Sequence, residues 1–127
     1  MYKGNVIYYK NPVKLIETND NYSGELHPNS FDTSIISHTF ENGLGKIIFD
    51  SNCTSIGYPA FYECNNLTEI TIPRTTEFLG RYSYSLCTSL NSITIPYKCK
   101  TLEQYTFSGC YSLKKVNIQS NLTTIPK

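Results

Sequence analysis

The chain has 127 residues, which fits one domain, and its net charge of +1 gives no basic stripe or acidic tail that would favour a nucleic-acid partner. No stretch approaches the roughly 20 consecutive apolar residues of a transmembrane helix. Residues 1–10 also lack the apolar run of a signal peptide. From these features alone the protein is either cytoplasmic or the mature form of a secreted chain.

The N-terminal part of the chain, residues 1–51, is predicted to be a capping region. Within it, residues 5–10 and 13–17 predict two strands, because the turn dipeptide Asn11-Pro12 separates two apolar segments. A short helix is then expected to pack over the following part of the chain through Phe31, Ile35 and Ile36.

From residue 52 onward the chain repeats itself every 23 residues. Seven apolar or small positions recur in one register across three units, and such agreement between seven columns is very unlikely by chance. We therefore predict that residues 52–127 hold three 23-residue repeats and the start of a further unit, in a single domain with the cap. The columns begin at Ile56, Ala60, Phe61, Cys64, Leu67, Ile70 and Ile72.

Each unit predicts one strand and one turn. Alternation at Ile70 and Ile72 predicts a strand, and stacked units would form a parallel sheet with one strand per unit, spaced about 4.8 Å apart. A strand at Leu44–Phe49 keeps the same register and should precede the first full unit. The apolar spacing from Ala60 to Cys64 suits a single helical or 3₁₀ turn. Gly57 and Gly80 fall at a bend where a positive φ would be cheap.

The unit, written I-G-x-x-A-F-x-x-C-x-x-L-x-x-I-x-I-P, resembles the BspA-type, or Treponema-type, leucine-rich repeat over about residues 43–126. This resemblance implies an α/β solenoid, a right-handed superhelix of mostly short parallel strands with helical turns behind an N-terminal cap. It also implies a module that binds a protein or a glycan, extracellular or at a bacterial cell surface. The alternative is a structural spacer, or a fragment of a longer repeat array, with no ligand of its own.

The outward positions of the strands form the candidate binding surface, on what would be the concave face of a solenoid. Arg74 and Tyr97 are its best anchors, since Arg and Tyr are enriched at binding hot spots. A solvated sheet face is the simpler explanation for the same residues. The surface comprises Lys46, Glu69, Thr71, Arg74, Ser92, Thr94, Tyr97, Lys115 and Asn117.

Five cysteines are present, and no two of them form a C-x-x-C motif. The column Cys64, Cys87 and Cys110 could supply metal ligands, but parallel side chains from successive units favour a ladder of buried free thiols. His27 and His38 are expected to be surface or capping residues. Since no catalytic motif is found, we expect neither an enzyme nor a cofactor, metal or nucleic-acid partner. The C-terminal end shows no seal, so we expect it either to be short and cover itself or to associate end to end with another chain.

Overall fold

A computed structural model of the protein describes residues 4–19 and 24–119. These residues form short strands and one 3₁₀ helix, and the buried residues make one contiguous core. In chain order the elements are β1 (Val6–Lys10), the 3₁₀ helix (Pro28–Ser30), β2 (Ile35–Glu41), β3 (Leu44–Phe49), β4 (Ser55–Ile56), β5 (Glu69–Ile70), β6 (Phe78–Leu79), β7 (Ser92–Ile95), β8 (Thr101–Leu102) and β9 (Lys115–Ile118).

The 23-residue register predicted from the sequence is confirmed by strand pairing. Strands β4, β6 and β8 form a parallel sheet in which Ile56 pairs with Leu79 and Leu79 with Leu102. On the other side of the chain, β7 and β9 pair in parallel, with Ile93 opposite Val116. Each unit thus contributes two strands, one more than the single strand predicted: the first belongs to the β4-β6-β8 sheet, and the second is β5 in the first unit, which pairs with the cap, or one of the paired strands β7 and β9 in the next two.

Aromatic rings show how successive units share this interior. Phe61 and Tyr84 stack with their ring centroids 5.2 Å apart, and Tyr84 and Phe107 stack at 5.5 Å. Phe31 extends the column toward the N terminus, with its ring 5.8 Å from that of Phe61. Burying a large apolar side chain contributes about 1.5–3 kcal/mol, which a unit obtains only when a neighbouring unit covers it.

The cap contributes a strand to the repeat sheet, an arrangement that the sequence did not predict. The order of the four-stranded sheet is β2-β3-β1-β5, and β1 runs antiparallel to both of its neighbours. The expectation that β3 directly precedes β5 in a parallel sheet is therefore wrong. Strand β1 is held there by its inward side chains, since Ile7 and Tyr9 are both buried. The Tyr9 ring covers Gly45, where any Cβ would lie 2.1 Å from it.

The rest of the cap also differs from the prediction. Residues 13–17 form no strand, although Glu17 makes an isolated bridge to Leu26. The segment expected to be a short helix after Phe31 is instead β2, which lies on the outer edge of the four-stranded sheet. Isoleucine side chains are compatible with both conformations, and pairing with β3 decides in favour of the strand.

The connecting segments are turns and not helices. From Ala60 to Cys64, where a single helical or 3₁₀ turn was expected, no helix forms, but the turn hydrogen bonds are of the 3₁₀ type, such as Cys64 N to Phe61 O at 3.2 Å. Within the repeats, the positive φ values lie in two columns other than the one predicted, at Glu63, Leu86 and Gly109 and at Tyr82 and Tyr105. Gly80 serves another purpose: a Cβ there would approach the Cα of Gly57 to 3.1 Å, so adjacent backbones can be this close only without a side chain.

Candidate functional site

The outward side of β3, β1, β5, β7 and β9 forms one continuous surface, which we call the groove face. Backbone hydrogen bonds join its parts: Asn91 N donates to Thr68 O at 3.0 Å and so sets β7 beside β5. Lys114 N donates to Asn91 O at 2.9 Å and continues the series to β9. The face carries a groove of about 840 Å³ above β1, β5 and β7.

The inserted strand β1 forms one side of this groove. Tyr8 and Lys10 project outward from it, and Lys10 forms an ion pair with Glu69 of β5, Nζ to Oε2, at 3.2 Å. Both side chains of the pair are about half exposed, so it contributes well under about 1 kcal/mol to stability. Lys46 stands over the Tyr8 ring, with its Nζ 5.7 Å from the ring centroid. The groove therefore has both charge signs beside an aromatic ring.

Thr71 has a structural task within the groove face. Its backbone N–H donates to Tyr8 O at 2.9 Å, and its Oγ1 accepts a hydrogen bond from Tyr8 N at 2.9 Å. These bonds fasten the cap strand to the end of β5. Because the hydroxyl already has a backbone partner, Thr71 shapes the groove more than it offers a free polar group to a ligand.

The structure divides the predicted surface residues into two sets. Glu69, Thr71, Arg74, Ser92 and Thr94 line the groove together. The other four predicted residues do not line it: Lys46 lies beyond Tyr8 on β3, Lys115 and Asn117 lie on β9, and Tyr97 is 76% exposed beyond the end of β7.

Tyr8, Lys10 and Gln119 are among the groove residues that sequence reasoning missed. Tyr8 and Lys10 lie outside the repeat, so the 23-residue period gives no information about them. Alternation along Val6–Lys10 predicts a strand with these two side chains on one side, but it does not specify that the strand joins the repeat sheet.

The cysteine column has the predicted stacked arrangement. The Cys87 thiol donates to Phe61 O and the Cys110 thiol to Tyr84 O, each at 3.2 Å, so each of these two thiols bonds to the unit before it. All five cysteines are free. Burial raises the pKa of Cys53 and of Cys64 to about 12, whereas the neighbouring Cys87 side chain lowers the pKa of the half-buried Cys110. Among the described residues, no group of His, Cys, Asp and Glu side chains is arranged to hold a metal ion.

His38 belongs to a buried polar chain in the cap. The Tyr9 hydroxyl lies 2.7 Å from His38 Nε2, and His38 Nδ1 lies 2.7 Å from Glu17 Oε2. Leu15 N donates to the same hydroxyl at 3.1 Å, so the phenol oxygen contacts both a backbone N–H and the His38 ring. The His38 side chain is only 4% exposed, so this hydrogen-bonded series anchors β1 and β2 rather than contacting a substrate. Neither histidine is a surface residue, since His27 is also buried.

Tandem units with strands in 23-residue register and shared apolar columns define a leucine-rich-repeat protein. A family model for the BspA-type leucine-rich repeat region matches residues 26–127 in six copies, and the chain belongs to this family. Comparisons with curated proteins and with solved structures gave no match.

Within residues 4–19 and 24–119, no helix has the length and apolar character needed to cross a bilayer.

Proposed function

We propose that this chain is a non-enzymatic binding module whose groove face holds an extended polypeptide segment of a partner protein. In this proposal the stacked units form a right-handed solenoid behind the cap, and the module acts outside the cell at a bacterial surface. Membership of a family whose repeats generally mediate protein interaction supports the class of partner. The single structural observation that carries the proposal is the groove above β1, β5 and β7.

The composition of the groove favours a peptide. A polypeptide presents hydrogen-bonding groups at regular intervals between side chains of varied character, and the groove offers Arg74, Ser92 and Thr94 around apolar lining from Ile70 and Pro96. Its carboxylate, Glu69, is paired with Lys10 and not with a second carboxylate or a histidine. This pairing favours binding over acid–base catalysis, which uses titratable groups held in contrasting environments.

The test compares two anchors that the structure separates. Arg74 lines the groove, whereas Tyr97 lies outside it, so Arg74→Ala should weaken binding while Tyr97→Ala leaves it unchanged. A hot-spot arginine contributes about 2 kcal/mol or more, which corresponds to an affinity loss of more than about tenfold. The wild-type chain is first screened against a random peptide display library and a glycan array, and the hits are then titrated with both variants by calorimetry.

The outcomes distinguish the candidate functions. Peptide hits that weaken with Arg74→Ala but not with Tyr97→Ala support the groove. Hits restricted to the glycan array would replace the peptide by a saccharide, and hits that do not weaken with Arg74→Ala would move the site off the groove. A chain that binds neither library fits the alternative of a structural spacer within a longer repeat array.

A further inference from the structure

Four tyrosines line one edge of the repeat stack, away from the groove, and we call them the tyrosine ladder: Tyr58, Tyr62, Tyr82 and Tyr105. Their rings touch in series, with centroids 5.5 Å apart for Tyr58 and Tyr62 and 6.1 Å apart for Tyr58 and Tyr82. Both of these contacts are edge-to-face. The last contact differs, because Tyr82 and Tyr105 stack at 5.4 Å with their planes only 11° apart.

The repeat itself holds this last pair parallel. Tyr82 and Tyr105 are 23 residues apart, follow equivalent strands and share an unusual backbone conformation, with φ of 62° and 64°. Because the two residues have the same backbone conformation one unit apart, their side chains leave the stack from equivalent positions. Both rings remain accessible, at 37% and 43% exposure.

We propose that Tyr82 and Tyr105 form an oxidative cross-linking site at which two successive repeats become joined by a dityrosine bond. The co-reactant is hydrogen peroxide acting through a haem peroxidase, which removes one electron and one proton from each phenol. The two phenoxyl radicals couple through the ring carbons ortho to oxygen. The hydrogen on each coupled carbon then returns to the phenol oxygen, so that two tyrosines and one peroxide give one dityrosine and two waters.

Geometry, and not exposure, selects this pair. Tyr97 and Tyr111 are 76% and 84% exposed, but neither ring contacts another ring among the described residues. A radical formed on either of them can couple only by meeting a second molecule. In the parallel pair the two rings are already in contact, so coupling needs reorientation of two accessible rings but no encounter with a second molecule. The bond would tie one unit to the next across 23 residues and constrain the unfolded chain as a disulfide does.

The experiment treats the full chain with horseradish peroxidase and hydrogen peroxide at low protein concentration, where encounters between molecules are rare. Dityrosine fluorescence is measured on the monomer isolated by gel filtration, and peptide mass spectrometry locates the bond. We expect a monomer two hydrogens lighter, with the peptides of Tyr82 and Tyr105 joined. Its urea midpoint should lie above that of the untreated monomer.

Tyr82→Phe and Tyr105→Phe are the decisive variants, since each keeps its ring and loses only the oxidisable hydroxyl. Each should reduce the dityrosine fluorescence of the monomer to the level of the variant that carries both substitutions. Tyr97→Phe and Tyr111→Phe should leave that fluorescence unchanged. Circular dichroism checks that every variant is folded. Monomer dityrosine that persists in Tyr82→Phe, or cross-links confined to dimers joined through Tyr97 or Tyr111, would overturn the proposal.

Discussion

The hydroxyl of Tyr84 provides a direct test of the shared core. Tyr84 lies between Phe61 and Phe107 in the aromatic column, and its side chain is completely buried. Its hydroxyl has no hydrogen-bond partner in the structure, and burial raises the pKa of Tyr84 well above its ordinary value. The two neighbouring units place phenylalanine at the same position, so Tyr84→Phe should fit the column without moving its ring.

The expected gain follows from the missing partner. A buried hydroxyl without a hydrogen bond costs about 1–3 kcal/mol of desolvation, and Tyr84→Phe removes that cost. The substitution also loses the contacts of one oxygen atom, which are worth a few tenths of a kcal/mol. The net result is a variant more stable than wild type by about 1–2 kcal/mol, with Tm raised by roughly 4 °C per kcal/mol in a domain of this size.

Urea unfolding followed by far-UV circular dichroism measures this change. The midpoint should rise while the slope m stays constant, because the surface exposed on unfolding does not change. Phe61→Tyr is the matched control: it adds a hydroxyl at a fully buried position of the same column and should destabilise by about 1–3 kcal/mol. A Tyr84→Phe variant no more stable than wild type would show that the hydroxyl is satisfied in the folded protein and refute the reasoning.

Further substitutions test the packing of the units, the thiols and the inserted strand. Gly80→Ala should cost about 1–3 kcal/mol, since its Cβ meets backbone at 3.1 Å, whereas Gly57→Ala, with its nearest atom at 3.5 Å, should unfold in urea close to wild type. Because the pKa of Cys53 is raised from 9.0 to about 12, folding keeps its thiol neutral; the urea midpoint should fall as pH rises from 9 toward 12, and less so in Cys53→Ala. Iodoacetamide should label Cys110 before Cys53, as peptide mass spectrometry would show, and equal labelling rates would contradict the burial described above. Ile7→Ala should lower stability by about 2–5 kcal/mol in the same urea assay, and an effect near zero would mean that β1 does not occupy its place in the sheet.

The repeat register could be predicted from the sequence because stacking imposes it. Equivalent residues of adjacent units pack on each other, so they must recur at intervals of one unit length. The columns of Phe61 and Cys64 therefore indicate both the repeat length and which side chains face the core. The pairing of Ile93 with Val116 confirms that register. The outward side of the same strands follows from alternation alone, which is how Glu69, Ser92 and Thr94 were identified as neighbours on one face.

The turn geometry could not be predicted, because its sequence signal is present in only one unit. Gly109 has a positive φ, as glycine readily does, but the equivalent positions in the preceding units hold Leu86 and Glu63. Hydrogen bonds between units maintain this strained conformation: Glu63 N donates to Ser85 O and Leu86 N to Ser108 O. The neighbouring unit thus supplies what the local sequence lacks, and a search for glycine finds the wrong column.

The inserted strand explains why the groove was only half predicted. An exposed strand edge can pair with a segment that runs in either direction. The edges of β3 and β5 therefore show that another strand can pair there, but they do not show which part of the chain supplies it. Tyr9 and Gly45 complement each other in size where β1 pairs with β3, but this fit becomes visible only in the structure. Because Tyr8 and Lys10 come from this non-repeated strand, one side of the groove can vary without disturbing the stacking register. The repeat fixes the frame of the groove, and the cap supplies the Tyr8 and Lys10 side chains that line one side of it.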